Sequence, residues 1–134
     1  MTKNNTSGKE QEFHIKPFLK WAGGKFQVIN KIRSSLPKGS RLIEPFVGSG
    51  AVFLNMDYGK FLLADINADL INLFEHLKYE QHDFIYFCKQ FFSNEFNKKS
   101  TFLSLRSEFN STKDTHLKAA LFLYLNRHDV VQLI

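Results

Sequence analysis

An α/β fold, with a short parallel sheet followed by a run of helices, is what this sequence predicts, and three observations predict it. An apolar pair, Leu42-Ile43, leads into Glu44-Pro45-Phe46-Val47-Gly48-Ser49-Gly50, an acid followed by a glycine-bearing turn. A second apolar run, Phe61-Leu62-Leu63-Ala64, ends on another acid, Asp65. From about residue 81 onward the apolar side chains recur at helical spacing, with no strand signal. An acid and a glycine turn between strand and helix are how an α/β sheet opens a ligand crevice at the carboxyl ends of its strands. Glycine lets the backbone pass close beneath a ligand, where any Cβ would intrude.

Taken in order, residues 1–14 are polar and read as a mobile tail, with order starting near Ile15. Pro17 to Lys25 reads as a loop with an apolar anchor. Phe26, Ile29, Ile32 and Leu36 fall on one helical stripe, which Pro37-Lys38-Gly39-Ser40 terminates. Strand 41–44, the glycine turn, a short helix near 50–56 and strand 61–64 follow. Asn67 is a suitable N-cap for a helix carrying Leu70, Ile71, Leu73, Phe74 and Leu77. Phe84, Ile85, Phe87, Cys88, Phe91 and Phe92 suit a second helix. Asn94–Thr101 reads as a polar linker. Phe102 to Phe109 and His116 to Asn126 suit two more helices, the last with Leu117, Leu121, Tyr124 and Leu125 inward.

Composition sets the bounds. At 134 residues and 43% hydrophobic content the chain is large and apolar enough for one domain with a core. A net charge of +5 favours polyanions such as nucleic acid, although scattered lysines also make an ordinary solvated face. The lone Cys88 excludes an internal disulfide, and its phenylalanine neighbours predict a buried thiol. No Cys/His cluster has metal-ligand spacing, so no metal is expected. No apolar run approaches the roughly 20 residues that span a bilayer. No membrane association is expected, and a cytoplasmic location is.

Four motifs in order carry a resemblance. Phe18-Leu19-Lys20-Trp21-Ala22-Gly23-Gly24-Lys25, Glu44 to Gly50, Ala64-Asp65-Ile66-Asn67, and Leu121-Phe122-Leu123-Tyr124-Leu125-Asn126-Arg127 together resemble the Dam-like DNA adenine-N6 methyltransferases. The resemblance covers residues 17 to about 128. It implies an incomplete Rossmann-like methyltransferase fold over 15–79 that binds S-adenosylmethionine. It also implies a partial helical DNA-recognition domain over 80–128. The implied partner is double-stranded DNA, with an adenine, often in GATC, that leaves the stack before its exocyclic nitrogen is reached. Full-length family members are often monomeric.

The resemblance also implies roles, each beside a plainer alternative. Asp65 accepts from the cofactor's ribose hydroxyls or supports the helix start beside Asn67. Gly48 and Gly50 give the methionine moiety close approach or simply make a tight turn. Glu44 faces the cofactor's ammonium or holds the turn. Trp21 lies against the methionine end, where its face accepts a cation, or anchors the core. Lys25 donates to the cofactor carboxylate or is a solvated lysine at a helix start. Phe46 joins the cofactor-binding set. Lys20, Asn126 and Arg127 are DNA-contact candidates. Lys89, Lys98, Lys99, Arg106, Lys113 and Lys118 are phosphate contacts or a solvated surface.

One departure bears on activity. Amino-methyltransferases carry an Asp/Asn-Pro-Pro-Tyr/Phe motif, which accepts from the adenine amino group and stacks on the flipped base. The prolines here are Pro17, Pro37 and Pro45, no two adjacent, so no catalytic residue is assigned. Residues 129–134 read Asp-Val-Val-Gln-Leu-Ile in place of a Gly/Asn/Tyr-rich recognition hairpin, and the loss of similarity looks like a frameshift or truncation. The expectation is an N-terminal fragment, inactive alone, of low stability because a central strand lacks a neighbour. A non-catalytic module binding S-adenosylmethionine or DNA is the alternative. A nicotinamide-dependent dehydrogenase half fits poorly, because Phe53 stands where its third glycine belongs.

Overall fold

Two strands pair in parallel, β1 (Arg41–Glu44) with β2 (Lys60–Leu63), in the register Leu42 to Phe61 and Glu44 to Leu63. The structure, a computed structural model, describes residues 14–128. The expected tail, His14 apart, and the 129–134 end lie outside the described residues. Alternation along the strands puts Leu42, Glu44, Phe61 and Leu63 on the covered face. Arg41, Ile43, Lys60 and Leu62 share the other face, and all four are exposed.

Before β1, the expected single helix divides. A 3₁₀ turn over Lys25–Val28 precedes α1 (Ile29–Ser35). Val28 sits between them at φ −110° and ψ 15°, off the helical region, so the two turns do not merge. Leu36 leaves the helix extended, as a residue before proline tends to.

The short helix expected near 50–56 is absent, and a single 3₁₀ turn, Phe53–Asn55, stands there. Gly48 and Gly50 take positive φ (51° and 83°), which breaks any helical run through the turn. Few residues then remain before β2. Asn55 holds the turn together, donating from Nδ2 to the carbonyls of Ala51 and Ile15, each at 2.8 Å.

Asn67 caps α2 (Ala68–Glu80), its side chain accepting from the Leu70 amide at 3.0 Å. Gln81, at φ 49°, then turns the chain into α3 (His82–Lys89). The expected polar linker 94–101 is instead a 3₁₀ turn, Asn94–Asn97, followed by the start of α4 (Lys99–Ser111). Its polarity misleads because one apolar residue anchors it. Phe96 packs against Phe91 and Tyr124, and the buried Tyr124 hydroxyl donates to the Phe96 carbonyl at 2.6 Å.

Helix α5 (Thr115–His128) is the central column, packed against α2, α3 and α4. Leu121 and Tyr124 are fully buried, as the stripe predicts, whereas Leu117 and Leu125 are half-buried. Ala119 and Ala120 are also fully buried, and their small side chains allow neighbouring helices a close approach. One core joins Leu19 and Val47 to Leu70, Leu73, Phe84, Phe102 and the α5 residues. Cys88 is buried within it. The site's loops are therefore attached to the same packed mass as the helices.

Candidate functional site

Past the carboxyl ends of β1 and β2 the ladder continues into the turns. The Ala64 amide donates to the Glu44 carbonyl, and the Val47 amide to the Ala64 carbonyl, both at 2.9 Å. This draws the glycine turn and Asp65 together. Asp65 Oδ2 accepts from the Gly48 amide and Oδ1 from the Asn67 amide, both at 3.0 Å. Asp65 thus braces the turn on one side and the start of α2 on the other. Each of its oxygens keeps a further lone pair for an outside donor.

A hollow of about 270 Å³ opens there, lined by Trp21 to Lys25, Phe46 to Ser49, Ala51 and Asp65. Trp21 forms one wall. A Cβ built on Gly48 would lie 3.0 Å from Trp21 Cδ1, so only glycine lets the indole close on the turn. Trp21 also meets the Phe122 ring of α5, tilted at 47° and 6.4 Å between centroids. Phe46, strongly exposed at 72%, stands at the mouth.

Beneath the hollow, Lys25 Nζ donates to Glu44 Oε1 at 3.1 Å and also to the Phe46 carbonyl. Glu44 is buried and does not line the hollow. Burial pushes its carboxyl above the ordinary carboxylate range, and Lys25 and, to a smaller degree, the Phe53 backbone amide offset this only in part. Glu44 Oε2 is buried with no hydrogen-bond partner. One ammonium hydrogen of Lys25 is left beyond the two in use.

The three DNA-contact candidates meet one another where the end of α5 joins the same loop. Asn126 Oδ1 accepts from the Lys20 amide at 3.0 Å, while its Nδ2 donates to the Lys20 carbonyl at 2.7 Å. Arg127 Nη1 donates to the Phe18 carbonyl at 3.1 Å, and Lys20 Nζ to the Arg127 carbonyl at 3.3 Å. Among the other basic candidates, Lys118 pairs with Asp69 at 3.4 Å and lies over the Phe109 ring. Lys89, Lys98, Lys99, Arg106 and Lys113 are exposed.

Sequence reasoning missed Asn55. It grips Ile15 from both sides, accepting from the Ile15 amide at 2.7 Å and donating to its carbonyl. The partners lie 40 residues apart, so no local pattern marks the pair. A larger depression of about 580 Å³ lies near Pro37, Gly39, Asp57 and Tyr58. These residues precede the strands, so it sits at the end opposite to where α/β ligands bind. Among the described residues no group of three or more His, Cys, Asp or Glu could hold a metal ion. Among them, no helix is long and apolar enough to cross a membrane.

An acid-tipped parallel strand pair, a glycine turn and a run of helices define a mixed α/β protein with a hollow at its strand ends. The chain belongs to the D12 class N6 adenine-specific DNA methyltransferase family, whose model matches residues 21–134. It is 53% identical over 111 residues to a DNA adenine methylase of Serratia marcescens, covering 83% of this chain and 41% of that protein. DNA adenine methylases of Salmonella typhimurium and Escherichia coli K12 are 47% and 46% identical, over 83% of this chain and 40% of theirs. The chain therefore spans about two fifths of the length of these relatives.

Proposed function

We propose that this chain is the cofactor-holding part of a DNA adenine-N6 methyltransferase and that the hollow at the ends of β1 and β2 takes S-adenosylmethionine. The observation that supports this best is the meeting of Asp65, the Gly48 turn and Trp21 around one hollow, in a chain of this family. On this reading the two strands begin a Rossmann-like sheet.

The residues present suit the ligand. Asp65 has lone pairs for ribose hydroxyls. Trp21 offers an aromatic face to the positively charged methionine end. Phe46, Val47 and Ala51 supply apolar wall, and the remaining hydrogen of Lys25 suits a carboxylate. Glu44 lies beside the hollow, its Oε1 linked to it through Lys25. When bound, the cofactor supplies an activated methyl group. The chain's own work is to bind and orient it.

Double-stranded DNA is the proposed partner, with adenine in a GATC-type site as target. Lys20 and Arg127 are the proposed contacts beside the hollow, and the setting is the cytoplasm. The chain by itself is proposed not to transfer methyl groups, because no two of its prolines are adjacent and the adenine-holding motif has no counterpart. Calorimetric titration of the purified chain with S-adenosylmethionine tests the reading. Wild type binds saturably, and Asp65→Ala binds about tenfold more weakly, as the loss of one charged hydrogen bond predicts. Equal binding by both, or none by either, refutes the site. Labelled methyl appearing in GATC duplex refutes the proposed inactivity.

A further inference from the structure

In the loop before the hollow, another element grips Lys20 at both its amide and its carbonyl. The gripping residue is Asn126, in the last turn of α5, 106 residues away in sequence. A primary amide held in this way reproduces one rung of a β-ladder, which fixes both position and rotation of the peptide it meets. The next residue after Lys20 is Trp21, the wall of the hollow. The residue before it, Leu19, is buried in the core. One helical turn back along α5 from Asn126 stands Phe122, whose ring meets Trp21.

Trp21 therefore has three restraints: the Gly48 backbone, the Phe122 ring, and the Asn126 fork on the preceding residue. The first two are surfaces against which an indole can slide. Only the fork is directional, because hydrogen bonds weaken steeply as they bend. We infer that Asn126 is a positioning residue for the hollow: it locks the Lys20 peptide so that the Trp21 ring closes on Gly48. The consequence for cofactor binding rests on the function proposed above. The clasp itself does not.

This gives Asn126 a role apart from contacting DNA. It also makes the end of α5 a point through which an event on the helical segment reaches the cofactor hollow. A shift of the α5 end would move the Lys20 peptide first and Trp21 with it. Arg127, bonded to the Phe18 carbonyl, ties down the same strap two residues earlier.

Trp21 is the only tryptophan in the chain, so its fluorescence reads the restraint directly and without ligand. Three proteins are compared: wild type, Asn126→Ala and Asn72→Ala. Asn72 donates to the Thr115 carbonyl at 2.8 Å and secures the opposite end of α5, which makes it the control for helix docking. The expected result is a red-shifted, more readily acrylamide-quenched emission in Asn126→Ala, with helical circular dichroism retained and Asn72→Ala matching wild type. If Asn126→Ala does not fold, Asn126→Asp is read in its place. It keeps the acceptor for the Lys20 amide and loses the donor to the Lys20 carbonyl. Emission unchanged in the folded Asn126 variant, or shifted equally by Asn72→Ala, overturns the inference. In calorimetry with S-adenosylmethionine, Asn126→Ala binds about tenfold more weakly than wild type. Unchanged affinity overturns the coupling to the hollow. Failure of wild type to bind refutes the cofactor assignment, while the fluorescence comparison still decides the clasp.

Discussion

Alanine at Gly48 and at Gly50 separates two costs that the turn combines. Both residues take positive φ, where an L side chain is strained by about 1–2 kcal/mol. Alanine also narrows the unfolded ensemble, returning about 0.4–1 kcal/mol, so strain alone predicts a net loss near 1 kcal/mol at either site. The neighbours differ. A Cβ at Gly48 meets Trp21 Cδ1 at 3.0 Å, a contact the indole relieves by shifting a few tenths of an ångström. A Cβ at Gly50 meets Phe53 Cε1 at 2.4 Å. Phe53 has little freedom to yield, because it is packed edge-on between Phe61 and Phe74. Overpacking of this kind adds about 1–3 kcal/mol, which brings Gly50→Ala to about 2–4 kcal/mol in all. Urea melts followed by circular dichroism measure both losses. Tryptophan emission adds a second axis, since Gly48→Ala moves Trp21 and Gly50→Ala does not. Equal losses at the two sites, or an unmoved emission in Gly48→Ala, would refute the packing described for the turn.

Two further outcomes follow from buried groups. Burial holds the Glu44 carboxyl above its ordinary value of 4.5, so the folded chain keeps that proton longer than the unfolded chain does. Stability contributed at this position is therefore full below 4.5 and declines as pH rises through the raised folded value. In paired urea melts, Glu44→Gln gains on wild type as pH rises from about 4 to 7, and a constant difference would contradict this. Cys88 is buried and its thiol is pushed up to about 11 by burial and, to a smaller degree, by the charge of Glu80. It should react with a thiol-specific disulfide reagent at pH 8 only after denaturation, and rapid stoichiometric reaction of the native chain would count against its place in the core.

Legibility in the sequence divided along contact range. Strand β1 was readable because Gly39-Ser40 and Glu44 bracket a short apolar run, and α2 because Asn67 announces its start. The Asp65–Gly48 contact was half-readable: the two motifs were visible, but not that the acid would hold the turn's own amide. The helix expected near 50–56 failed for a local reason, since left-handed glycines set a backbone that periodicity does not report. The linker at 94–101 failed for a distant one, because Phe96 takes its order from Tyr124. Asn126 and Asn55 were illegible as clasps. An asparagine that grips a peptide 106 or 40 residues away leaves the same local pattern as one facing solvent. Lys25 and Glu44 were each singled out, yet their pairing, 19 residues apart, emerges only in the folded chain.

The proposed cofactor site is the hollow at the carboxyl ends of β1 and β2. Nuclear magnetic resonance of the labelled chain, titrated with S-adenosylmethionine, tests it most directly. With the cofactor in the hollow, the Trp21 indole and the Gly48 and Asp65 amides shift together and saturate, while Gly39, Asp57 and Tyr58 at the opposite end stay still. Shifts confined to those last three residues, or no shifts at all, would contradict it.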